Sequence, residues 1–340
     1  MDSLLDLGKN YLPSFELNGH YRSRFAELIA FSNYHFYGNR LKVVPDLGSI
    51  EEYQNSTPIE YLKVNGTWHQ NQNQEEAQRV IELVKKLIQA EKTATKSIGI
   101  ITFNAKQQNL ICDLVEENLE TIPEDLFVKN IENVQGDERD LIIFSVGYAP
   151  NMAGKFRLSF GSLSQQGGEN RLNVAISRAR EKIYMISSIF PPQLPVLETH
   201  SLGAQLLKKY LSFAYSISEG KSWHQINFEE NTEIQSNKIT QITENSYFSN
   251  LKSTIISSNQ NSDIEFSQNT FSVMDLVMLA KQNKEILAAI YTDDERYFAS
   301  YSAKEFHVYL PMLLEKKGWK VKFFWSKDYF MNRNNFEIVI

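Results

Sequence analysis

Between residues 20 and 190, stretches of helical periodicity alternate with short β-branched runs, and few architectures accommodate such an alternation. Residues 25–37 set Phe25, Leu28, Ile29 and Phe36 near helical spacing, and Gly38 closes the segment. Residues 75–90 repeat the pattern through Ala77, Val80, Ile81, Val84, Leu87 and Ile88, and residues 97–102 follow as a compact strand. Residues 107–119 read as a helix, 141–146 as a buried strand, 172–180 as a helix and 182–187 as a last strand before the Pro191-Pro192 stop. The expectation is an α/β domain over residues 1–190: a parallel sheet with helices on both faces.

Residues 202–217 read as a further helix, whereas 218–246 are rich in Asn, Gln, Ser, Thr and Glu with little apolar periodicity. Residues 191–246 are therefore expected to be a helix and a polar linker. Beyond them, residues 247–256, 273–279, 286–292, 305–317 and 319–325 read as helix, strand, strand, helix and strand, a second and smaller α/β domain over 247–340.

With 340 residues, 42% of them hydrophobic, both domains can hold cores. The net charge of -6 places any nucleic-acid contact in local grooves and excludes a globally basic surface. Cys112 is the single cysteine, so no internal disulfide or multi-cysteine zinc site exists. The start, Met1-Asp2-Ser3-Leu4-Leu5-Asp6, is acidic where a signal peptide is basic, and no apolar run nears the roughly 18 residues of a membrane span. A cytoplasmic protein is the expectation.

Three clusters carry the chemistry. Val134-Gln135-Gly136-Asp137-Glu138-Arg139-Asp140 precedes a strand, putting a glycine turn and polar side chains at one sheet edge, and ligand crevices of open α/β sheets lie at such edges. Residues 169–180 set Arg171, Asn173 and Arg178 on a short, mostly apolar helix, where an arginine is costly to bury unless it meets carboxylate or phosphate. Gly19-His20-Tyr21-Arg22-Ser23-Arg24 precedes the first helix, where amide donors and a guanidinium can face an anion.

In that order the clusters resemble the C-terminal RecA-like half of superfamily 1 helicases, in the branch that includes the nonsense-mediated-decay helicase and the large bacterial helicase-endonuclease fusions. Residues 20–24, with 28–33 and 36–37, resemble motif IV, residues 134–140 motif V and residues 170–180 motif VI. The likeness implies that Arg178 is the finger on the γ-phosphate of ATP and Arg22 a second γ-phosphate contact. It also implies that Glu138 touches the ribose or couples the sites, that Gln135 and Gly136 line the nucleotide, and that residues 98–107 touch single-stranded DNA or RNA through Thr102, Phe103, Asn104 and Gln107, with Asn173. Guanidinium groups suit the charge that spreads over a transferring phosphoryl group.

No G-x-x-x-x-G-K-[ST] exists: Gly220-Lys221-Ser222 has Tyr215 where the first glycine belongs, and Gly154-Lys155 is followed by Phe156. Asp137-Glu138-Arg139-Asp140 precedes its strand and so is no Walker B pair. ATP and magnesium are therefore expected to be shared with a P-loop-bearing protein or a missing N-terminal half. The chain reads as a truncation, a split gene or half of a two-chain enzyme, inactive alone. A non-catalytic module that binds nucleic acid or a partner protein is the alternative.

Residues 247–340 resemble the endonuclease-fold domain, related to very-short-patch-repair nucleases, that closes many of those fusions. The match runs through residues 271–277, 297–300, 318–321 and 324–330. It implies magnesium ligands at Asp275 and Asp293, but Tyr291 stands where the strand glutamate belongs, and a phenol does not replace a carboxylate. A degenerate domain is expected over an active metal-dependent DNA endonuclease. His35, His69, His200, His224 and His307 show no paired metal spacing and read as surface or packing residues. Trp319 and Trp325 read as core, and Asn73 with Glu75 as a helix-capping segment.

Overall fold

The computed structural model describes residues 22–44, 57–156, 160–196, 201–221, 246–258, 263–268, 274–282, 286–293 and 302–331, with isolated positions at 8, 11–12, 19–20, 46–47, 223, 226, 228 and 297. Five strands form the main sheet: β3 (Ile59–Lys63), β4 (Ile98–Thr102), β5 (Phe127–Asn130), β6 (Arg139–Ser145) and β7 (Ala179–Ser187). Their order is β3-β7-β6-β4-β5 and every neighbouring pair is parallel. A two-strand parallel ribbon, β1 (Gly19–His20) with β2 (Lys42–Val43), lies outside it.

Strand alternation sends successive side chains to opposite faces, and each face has its own core. On one side Ile98, Ile100, Leu141, Ile143, Tyr184 and Ile186 meet α2 (Gln74–Gln89) through Ala77, Val80, Val84 and Leu87, and α3 (Ala105–Asn118) through Ile111 and Val115. On the other, Ile59, Ile142, Phe144, Ile183 and Met185 meet three helices. These are α1 (Glu27–Tyr37) through Leu28 and Phe31, α4 (Gly168–Ile176) through Leu172 and Ala175, and α5 (Leu202–Ser218) through Leu207 and Leu211. The fold is RecA-like α/β, as expected.

Three expectations need adjusting. The core does not stop at residue 190: α5 packs on β3, and Trp223, Ile226 and Phe228, from the stretch expected to be linker, pack against the same cluster. Residues 229–245 lie outside the described residues. The helix expected over 172–180 ends at Ile176, and β7 begins at Ala179. Ser177 closes it by returning its hydroxyl to the Val174 carbonyl, a local bond that competes with further helix.

The tail forms a second sheet from β8 (Ile264–Gln268), β9 (Leu276–Ala280), β10 (Ile286–Thr292) and β11 (Val321–Phe324), in the order β11-β10-β9-β8. Only the β10–β11 pair is parallel. One face packs on α6 (Ser246–Ser258) through Leu251 and Ile255, and the other on Phe306 and Leu314. Those two belong to a π-helical turn (Glu305–Tyr309) that runs into α7 (Leu310–Lys316). Pro311 lacks an N–H, and the widened turn ahead of it accommodates the lost bond. The expected matches at residues 271–273 and 298–300 fall outside the described residues. Among the described residues no helix is long and apolar enough to cross a membrane.

Candidate functional site

The motif residues before β6 and β7 converge at the amino ends of those strands, which corrects the expected crevice edge, since ligand crevices of open α/β sheets lie at the carboxyl ends. Glu138 immediately precedes β6 and Arg178 immediately precedes β7, and the Arg139 N–H donates to the Arg178 carbonyl at 3.2 Å. Gly136 makes this possible: its φ is +90° and a Cβ there would meet nothing within 4 Å, so the loop turns in the left-handed region beside open space. Gln135 and Gly136 are both exposed.

Arg22 reaches the same edge because its segment is pinned to β7. The Ser23 hydroxyl donates to the Ala179 carbonyl at 3.1 Å, and the Arg24 N–H donates to the Arg180 carbonyl at 2.8 Å. Within the turn, the Ser23 N–H donates to His20 Nε2 at 3.1 Å, and burial with the charges of Arg22 and Lys317 pushes His20 down to about 4, keeping it a neutral acceptor.

Glu138 is the hub. Arg22 Nε donates to its Oε2, and Arg180 donates to its Oε1 through Nε, at 3.1 Å, and through Nη2. Arg180 first and Arg22 second hold this carboxyl below the usual range. Arg178 is differently placed. Its Nε donates to the Val174 carbonyl at 2.7 Å, its Nη1 to the Asp137 carbonyl at 3.2 Å and its Nη2 to the Ser177 hydroxyl at 3.3 Å. None of these acceptors is a carboxylate. Burial and then the Arg22 charge lower its pKa, against the opposing charges of Glu138 and Asp137. Arg178 thus stands in the turn after α4, not on the helix.

Asn173 is found with this cluster, donating from Nδ2 to the Tyr37 hydroxyl at 3.2 Å. The other residues expected to touch nucleic acid lie at and after the carboxyl end of β4. There the side chains are largely spoken for. Thr102 is buried and donates to the Asn104 carbonyl at 3.0 Å, and Phe103 is buried against Phe144 and Tyr148. Asn104 caps α3 by accepting the Gln107 N–H at 2.9 Å. Gln107 is wholly buried, exchanging bonds with the Asn73 backbone at 2.7 and 3.0 Å and donating to the Ser145 hydroxyl at 3.0 Å. Of this set, only Asn104 retains partial exposure.

The sequence reading missed the residue that organises that edge. Glu76 sits three positions after Asn73, the spacing of a capping box, and Asn73 does cap α2 by accepting the Glu76 N–H at 3.1 Å. The Glu76 carboxylate instead reaches past the helix to accept the Gly147 N–H after β6 and the Ser188 N–H after β7, both at 2.7 Å. The capping spacing was the available signal; burial of Glu76 had none.

In the tail, Asp275 Oδ2 accepts the Thr292 N–H at 2.6 Å and its hydroxyl at 3.1 Å. Asp293 accepts the Ser326 N–H at 2.7 Å and its hydroxyl, capping α8 (Ser326–Met331). Tyr291 is buried against Phe306 and Phe323. Both oxygens of Asp293 and Oδ2 of Asp275 accept protein hydrogen bonds; among the described residues the buried Asp275 Oδ1 accepts none, and no three His, Cys, Asp or Glu side chains could hold a metal ion. Glu285, Asp294 and Glu295, the other nearby acids, lie outside the described residues.

Residues 2–189, more than half of the chain, match the AAA_12 family, described as an AAA domain, and the chain belongs to that family. It is 37% identical over 218 residues to an uncharacterised ATP-dependent helicase of Mycoplasma genitalium, and 36% identical over 218 residues to its homolog in Mycoplasma pneumoniae. Each match covers 60% of this chain and 19% of the relative. An uncharacterised ATP-dependent helicase of Methanocaldococcus jannaschii is 28% identical over 183 residues, covering 48% of this chain and 25% of that protein. The chain therefore spans only a minor part of the curated relatives it matches.

Proposed function

We propose that this chain is the second RecA-like half of an ATP-dependent helicase or translocase, supplying arginines to an ATP whose phosphates rest on a P-loop domain absent from these residues. The observation that carries the reading is the convergence of Arg22, Glu138 and Arg178 at one sheet edge, with Arg178 donating only to carbonyl and hydroxyl oxygens among the described residues. A terminal phosphate is an anion that such a pair of cations can receive. In this reading Arg178 faces the γ-phosphate and Arg22 exchanges Glu138 for it. Arg180 keeps hold of Glu138, leaving that carboxylate oriented toward the ribose. When ATP is bound, the developing charge on the transferring phosphoryl group meets guanidiniums already in position, and after hydrolysis Arg22 returns to Glu138. The helicase names of the relatives and the AAA_12 match support this, and a single strand is expected to cross the opposite edge near Asn104.

The tail is read as non-cleaving, in keeping with the hydrogen bonds that occupy Asp275 and Asp293. The test of the motor reading is nucleotide turnover by the purified chain. No hydrolysis above a buffer blank and weak ATP binding are expected, because no phosphate-cradling loop is present. Hydrolysis by the isolated chain that Arg178→Ala abolishes would overturn the reading of the chain as a half.

A further inference from the structure

The sequence predicts that Trp319 and Trp325 are both core, and the structure separates them. Trp319 is buried, whereas Trp325 follows Val321 and Phe323 in the alternate row of β11 but lies past the strand end and stays half-exposed. The Phe323 and Trp325 rings stack 5.7 Å apart with planes 7° from parallel, and the exposed His307 ring stacks on Trp325 at 5.4 Å and 25°. Tyr297 stands edge-on to Trp325 at 5.5 Å and to His307 at 5.6 Å, and its hydroxyl lies 3.2 Å from His307 Nε2, fixing both rings. These rings continue outward from the buried pair Tyr291 and Phe306, so the ledge is anchored in the core and ends in solvent.

Residues 302–331 carry six lysines against Glu305, Glu315 and Asp328, within a protein of net charge -6, and Asp293 accepts the Ser326 N–H and hydroxyl beside Trp325. Glu305 is occupied by Lys42. Lys304, one turn before His307, and Lys327, two residues after Trp325, are exposed and form no ion pair among the described residues.

We propose that the Phe323, Trp325 and His307 rings, braced by Tyr297, form a stacking platform for an unpaired base of single-stranded DNA or RNA, with Lys304 and Lys327 meeting the flanking phosphates. Near-parallel rings ending in an exposed π-face suit a planar base, and cations beside them suit its backbone. The site uses neither the arginines of the motor reading nor Asn104.

The full chain is irradiated with a single-stranded oligonucleotide carrying 5-iodouracil, and the adducts are mapped by mass spectrometry. Adducts on Tyr297, His307 or Trp325 are expected. Affinity should fall about fivefold to a hundredfold in Trp325→Leu and in His307→Leu, the scale of one stacked base, while Trp325→Phe retains most of it. Replacing Lys304 and Lys327 by Ala should lower the salt slope of binding by about 0.7 per lysine. Because His307 is exposed, its variant keeps the test open if Trp325→Leu misfolds. Adducts confined to residues 1–228 with unchanged affinity in both leucine variants would overturn the platform without touching the motor reading. A protein partner lost in those variants, with oligonucleotide affinity intact, would also overturn it.

Discussion

Glu76 is a carboxylate closed off from water with only donors around it: the Gly147 and Ser188 N–H groups, the Ser145 hydroxyl at 3.1 Å and the Asn73 amide at 3.3 Å. Burial outweighs them and pushes its pKa up to about 7. The unfolded chain releases that proton near 4.5 while the folded chain holds it, so this group makes stability fall as pH rises from about 4.5 to 7. His20 and His35, both lowered to about 4 by burial first of all, act oppositely, since the unfolded chain binds their protons between about 4 and 6.5. The readout is therefore the difference between wild type and Glu76→Gln in urea unfolding at a series of pH values. That difference should vary with pH across the Glu76 window. The variant should also be about 1–3 kcal/mol less stable at pH 7, because its amide turns an N–H toward a buried N–H. A difference that is flat in pH would assign the titration elsewhere. At the other edge, Arg180→Ala should raise the Glu138 titration more than Arg22→Ala, since Arg180 makes two of its bonds, as carboxyl carbon NMR would record. The reverse order would contradict Glu138 being anchored by β7.

Among the elements, α4, α5 and the short turn Gly161–Ser164 meet through glycines. A Cβ on Gly203 would lie 2.4 Å from the Leu163 carbonyl oxygen, and one on Gly168 2.3 Å from the same atom. Because that obstacle is backbone, Gly203→Ala must push α5 off the turn, a cost of about 1–3 kcal/mol in urea unfolding. A change under about 0.5 kcal/mol would show that the approach is not tight. The elements also explain what was legible in the sequence. The central strands β4, β6 and β7 announce themselves as β-branched runs because both faces are buried. The two edge strands do not: Glu60 and Lys63 interrupt β3, and Lys129 and Asn130 interrupt β5. The arginine cluster was legible because its residues lie in contiguous motifs beside their strands. The inward turn of Gln107 was not, since a polar residue at a helix start reads as exposed until Asn73, 34 positions earlier, is known to meet it.

In the whole molecule the two chemistries lie on opposite edges of one sheet, arginines at the amino ends of β6 and β7, and the capped turn of α3 with the Glu76 network at the carboxyl ends. An acidic chain must bind a strand through local grooves, so single-strand affinity should be modest and fall steeply with salt in filter-binding or anisotropy titrations. Salt-independent binding would point to a protein partner instead. The central claim is that this edge delivers guanidinium to an ATP held elsewhere. Its most direct test is ATP hydrolysis on combining this chain with the polypeptide that bears the P-loop, in the presence of single-stranded nucleic acid. Turnover should appear on mixing and fall about a thousandfold in Arg178→Ala or Arg22→Ala, the scale of an arginine finger. A loss below about tenfold in both variants would contradict the account.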